Sequence, residues 1–117
     1  MDERLDKALK FSNYMVTLNN QKRIIKEKYF EDLLYFSGGC QFTVTKELIT
    51  FVGLLIERGN DTDIVLTDDN DIPAKIEDLN KFYADILDTY FTASNNYHTK
   101  YEELRKNRSV EKLVNYE

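Results

Sequence analysis

Few residues in this chain could do chemistry, and their types and spacing fail each test for a reaction centre. There is one cysteine, Cys40, and one histidine, His98. A thiol nucleophile needs a base within hydrogen-bond reach, and these two fall in different predicted elements. Cys40 therefore reads as a small apolar residue beside a glycine turn, and His98 as a helix-surface residue. One Cys and one His cannot supply the four ligands of a zinc site. The acidic run Asp68-Asp69-Asn70-Asp71 invites comparison with a calcium loop. Counting from Asp68, however, position 5 is Ile72, position 6 is Pro73 where glycine is needed, and position 12 is Leu79 where glutamate is needed. The alternatives there are a weak cation site at Asp68, Asp69 and Asp71 or, preferred, a solvated turn. Gly38-Gly39 lacks the spacing of a phosphate-binding loop. The carboxylate pairs Asp85/Asp88 and Glu102/Glu103 have ordinary surface explanations. The reading is a non-enzymatic chain with no catalytic residue, cofactor or metal.

What remains are candidate interaction residues of three kinds. Residues 57–90 hold three Lys/Arg against ten Asp/Glu, and Asp61, Asp63, Asp68, Asp69 and Asp71 make this stretch a candidate docking face for a cation-rich protein. Lys22, Arg23, Lys26 and Lys28 form the one basic cluster. It reads first as a solvated helix face and only secondarily as a phosphate or nucleic-acid contact or a partner-docking site. With a net charge of −5 overall, nucleic-acid binding is disfavoured, because it needs clustered cations. Tyr83, Tyr90 and Tyr97 stand seven residues apart. They are either core or a binding stripe of apolar rings with polar tips.

Two long amphipathic patterns must position these residues. The first, about 2–36, carries Phe11, Met15, Leu18, Lys22, Ile25 and Tyr29 at steps of 4, 3, 4, 3 and 4, a coiled-coil-like seam interrupted by Lys22. It is expected to stop at Gly38-Gly39, where glycine can take the left-handed conformation. The second, about 78–107, carries Leu79, Tyr83, Ile86, Tyr90, Ala93, Tyr97, Lys100 and Leu104. Each is roughly 45 to 50 Å long at 1.5 Å per residue.

Between them lie three shorter predicted elements. CQFTVT alternates and reads as a strand over 40–44. Thr45 is the expected N-cap of a helix over 46–58, closed by Gly59. This helix is apolar nearly all round, which predicts a buried centre covered on more than one side. Alanine at Leu55 or Phe51 would then cost about 2 to 5 kcal/mol, and Gly53 would mark a close helix–helix approach. Two β-rich runs over 63–76, joined by the acidic turn, predict a hairpin with Pro73 on an edge strand. The 40–44 strand is a candidate third member. The tail after Asn107 is read as one more turn capped by Ser109 and docked through Val110, Leu113 and Val114.

The fold expected is mostly α with some β: one domain over 1–117, two long helices packing around a short apolar one, and a small antiparallel sheet. At 117 residues and 42% hydrophobic content the chain is globular. No apolar run is long enough to span a membrane. A charged N-terminus and a lone cysteine make the cytoplasm the expected location. The long seams pair either within one chain or between chains. Three helices and a tiny sheet barely cover them, so a homo-oligomer, dimer or higher, is expected.

The segments KALKFSNYMVTLNNQKRIIKE, GGCQFTVTKELITF, DDNDIPAKIEDL and NRSVEKLV together resemble an uncharacterised family of small proteins encoded by T-even-like myoviruses of marine cyanobacteria. The resemblance implies a viral origin, with the protein in the host cytoplasm or associated with the virion. It carries no activity and no residue role. The function expected is that of a phage-type structural, assembly or interaction protein acting through helix packing. A small acidic regulator binding a host or viral protein is the alternative.

Overall fold

The computed structural model describes the backbone of residues 2–116 and the side chains of residues 2–107. The element order is α1 (Glu3–Asp32), β1 (Leu34–Ser37), β2 (Cys40–Thr43), α2 (Lys46–Glu57), β3 (Thr62–Thr67), β4 (Pro73–Asp78) and α3 (Leu79–Tyr116). The protein is mostly helical, with its two long helices packing against each other and two separate two-stranded antiparallel sheets. The chain divides into two compact units, Met1–Lys28 with Asn96–Glu117, and Tyr29–Asn95.

In the first unit, the N-terminal part of α1 and the C-terminal part of α3 bury Leu18 and Leu104. Met15, Lys22 and Ile25 are half-buried along the same face. The expected seam therefore faces inward from Met15 onward, while Phe11 and Lys100 lie exposed. The seams are covered only in part, and the apolar side chains left exposed on the helices suit a partner or a second copy. The helix of α3 runs on to Tyr116, with no separate terminal turn. The proposed docking of Val110, Leu113 and Val114 and the capping by Ser109 fall outside the described side chains.

The second unit holds the main core: Phe42, Val44, Val52, Leu66, Leu79, Phe82 and Ile86. The first long helix ends at Asp32, earlier than expected, and Leu34–Ser37 turns back as β1 to pair with β2 in the register Leu34↔Thr43 to Ser37↔Cys40. Gly38 and Gly39 both have positive φ, +56° and +79°. That is the requirement of a two-residue hairpin turn whose twist matches its strands. The glycines thus close a hairpin, not a helix. Strand β2 pairs with β1 and is not a third member of the β3–β4 sheet.

At α2, Thr45 Oγ1 accepts the Leu48 amide at 3.0 Å, as an N-cap should. The C-terminus closes with Gly59 N–H donating to Ile56 and Asn60 N–H to Leu55, with Gly59 at φ +85°. This is the Schellman arrangement that uses up the last helical carbonyls. A Cβ on Gly53 would stand 3.3 Å from the Tyr83 hydroxyl oxygen, so the expected close approach is between α2 and α3. The expectation that α2 is covered on several sides is not met. Val52 is fully buried, yet Phe51 is 50% and Leu54 46% exposed. A 12-residue helix in a unit this small has one core to face, and its other face stays in solvent.

Candidate interaction surfaces

The acidic turn is where sequence and structure differ most. Asp68 is only 6% exposed. Its Oδ1 accepts the amides of Asn70 (2.9 Å) and Ile72 (2.8 Å), and its Oδ2 accepts the Gln41 amide at 3.2 Å. The Ile72 amide, helped by those of Gln41 and Asn70, holds its carboxyl below the usual range against the opposing effect of burial. Asp69 reaches the neighbouring hairpin. Its Oδ1 accepts the Thr43 amide (3.0 Å), and its Oδ2 accepts the Thr43 hydroxyl (2.6 Å) and the Gln41 side-chain amide (3.0 Å). Burial pushes this carboxyl up, but the Thr43 and Gln41 donors outweigh it and the net shift is downward. The Asp69 amide also donates to the Gln41 carbonyl at 2.9 Å. These two carboxylates clasp the β3–β4 turn to β2. Within the turn only Asp68 is buried; Asp69, Asn70 and Asp71 remain exposed to solvent. No cluster of three or more potential metal-ligating side chains occurs among the described residues.

The other acidic candidates have local roles. Asp61 Oδ2 accepts from Asn80 Nδ2 at 3.3 Å, and its carbonyl accepts the Leu79 amide, tying the start of β3 to the start of α3. Asp63 has φ +54° and pairs with Lys75 at 3.8 Å. Asp71 has φ +61° and is exposed. Both take the left-handed conformation that short polar side chains tolerate best after glycine.

A cleft of about 280 Å³ in the second unit is lined by Tyr35, Ser37, Lys75, Lys81, Phe82 and Asp85, among others. The Tyr35 hydroxyl donates to Asp85 Oδ2 at 2.8 Å, and Lys81 Nζ lies 3.1 Å from the same oxygen. Burial, then Asp85, pushes the Tyr35 phenol up. The Tyr35 hydroxyl, then Lys81, pulls the Asp85 carboxyl down, and Asp85 pushes the Lys81 ammonium up. Every shift moves away from neutrality. The triad orders the hairpin against α3, where the Tyr35 and Phe42 rings meet Phe82 edge-on at 5.6 and 5.2 Å. Sequence reasoning missed it because Tyr35 fell inside a predicted helix and its partner is 50 residues away.

The tyrosine stripe is mostly packing. Tyr83 covers Gly53, and Tyr90 packs on the core and edges onto Phe91 at 5.9 Å. Tyr97, in the first unit, is half-buried and lies edge-on to Tyr101 at 6.3 Å. The basic candidates all lie on α1, and Lys28 is exposed. Lys22 is half-buried along the seam, Arg23 pairs with Glu27 at 3.9 Å, and Lys26 is exposed.

The outward apolar side chains were not anticipated. On α1, Leu5, Leu9 and Val16 are about half exposed. At 100° per residue they share a sector of about 40° roughly opposite Leu18. On α2, Phe51 and Leu54 sit one turn apart on the face away from Val52. No helix among the described residues is long and apolar enough to cross a membrane. No family model matches this chain, and neither does any curated protein or solved structure.

Proposed function

We propose that this chain is a non-enzymatic interaction protein that associates through the apolar faces its helices leave outward. The observation that carries the reading is where those side chains sit. Phe51 and Leu54 on α2, and Leu5, Leu9 and Val16 on α1, lie on regular helices and are each about half exposed. Single exposed apolar residues are common on any surface, whereas apolar residues aligned on a helix face mark a place for another element to pack. Partner helices recognise such faces by their i, i+3, i+4 spacing. The resemblance to the cyanobacterial myovirus family supplies a setting: a structural or assembly component made in an infected cell.

The acidic-regulator reading has less support. The carboxylates of Asp68 and Asp69 are spent on backbone and side-chain donors within the chain, and Asp63 is paired with Lys75. The test is the solution mass, by light scattering on a sizing column over a hundredfold range of concentration. The reading expects a mass that climbs above 13.8 kDa as concentration rises. A constant monomer mass would count against association with itself.

A further inference from the structure

We infer that a second copy of this chain docks antiparallel on the outer face of α2, about a two-fold axis between Val52 and Gly53; this rests on the interaction reading above. Glu47, Phe51, Leu54 and Arg58 step by 4, 3 and 4 and fall within about 60° of arc on the helix. All four are exposed. Phe51 and Leu54 are centred on the same point of the chain as Glu47 and Arg58, midway between residues 52 and 53. An isologous pairing about that point sets Phe51 against the partner's Leu54 and Glu47 against the partner's Arg58, and each contact occurs twice. The parallel alternative sets Glu47 on the partner's Glu47 and Arg58 on the partner's Arg58. Like-charge contacts of that kind reject it.

Within one chain the two charges cannot meet, because eleven residues of helix hold them roughly 16 Å apart. Neither has an ion-pair partner among the described residues. The patch is small beside the roughly 800 Å² per partner of a standard interface, so the dimer is a weak one that fills at high concentration.

Charge reversal tests the register. Glu47→Arg alone, or Arg58→Glu alone, places two like-charge contacts in the homodimer and weakens it by about tenfold or more. An equimolar mixture of the two variants restores both attractive contacts. Native mass spectrometry, which separates the variants by their mass difference, should show the heterodimer dominating over both homodimers. Both reversals also oppose the α2 dipole, but mixing cannot repair an intrachain effect, so recovery in the mixture is specific to the interface. Far-UV circular dichroism checks that each variant keeps the wild-type helix content. A wild-type dimer indifferent to both reversals would overturn this inference and leave the interaction reading standing. A wild-type chain monomeric at every concentration would overturn the inference and self-association together.

Discussion

Val52→Ala should destabilise this protein more than Phe51→Ala, although the second substitution removes far more atoms. Val52 is fully buried among Phe42, Leu66, Phe82 and Ile86. Losing two methyl groups there forfeits about 1.6 kcal/mol of transfer free energy at roughly 0.8 kcal/mol per buried carbon. The cavity adds to this because neighbours relax only partly, and the total comes to about 2 to 3 kcal/mol. Phe51 is half exposed, so truncation opens onto solvent and leaves no cavity. Roughly half of a phenylalanine's burial is lost, about 1 kcal/mol, and alanine's better helix propensity returns a few tenths to half a kcal/mol. The net cost is about 0.5 to 1 kcal/mol. The assay is urea unfolding followed by helical circular dichroism, with protein dilute enough that self-association contributes nothing. If Phe51→Ala cost as much as Val52→Ala under those conditions, the face of α2 turned to solvent would have been misidentified.

Three further outcomes are expected. Asp68 and Asp69 titrate lower in the folded protein than the ordinary aspartate value of 3.8. Their stabilisation is therefore present above about pH 4 and is lost as pH falls through their lower folded values. Wild type should lose more urea resistance between neutral and acidic pH than Asp68→Asn/Asp69→Asn, and equal losses would mean the clasp is not ionic. At the alkaline end, the Tyr35 phenol titrates above its ordinary 10.0 when folded, so its contribution is present below pH 10 and lost as pH rises through the higher folded value. Tyr35→Phe should flatten that alkaline loss; an unchanged slope would remove Tyr35 from the account. Gly53→Ala should be close to neutral, since about 1 kcal/mol of helix propensity opposes a contact at 3.3 Å with the movable Tyr83 hydroxyl. Combined with Tyr83→Phe, the same change should become stabilising, and a purely additive double-mutant cycle would disprove the contact.

How much of this was legible depends on how local each determinant is. The seams of α1 and α3, the Thr45 cap and the β3–β4 hairpin follow from neighbouring residues, and all were readable. The end of α1 was not, because Leu34–Phe36 continues the apolar pattern without a breaker before Gly38. The glycine pair serves a helix stop and a hairpin turn equally well, and only the pairing of Tyr35 with Phe42 decides between them. For α2, composition says how apolar the helix is but not how many faces the rest of the unit can cover. The Asp68 contacts to Asn70 and Ile72 are a local turn motif. The reach of Asp69 to Thr43 spans 26 residues and leaves no periodic trace. The outward face of α2 shows in the sequence only as an excess of apolar residues, which composition alone does not divide between core and surface.

The most direct test of the central claim is backbone hydrogen exchange at low and high protein concentration, resolved by segment. Protection should rise with concentration, with the gain concentrated in α2 around Phe51 and Leu54. A gain confined to the acidic β3–β4 hairpin, or exchange that is identical at both concentrations, would contradict it.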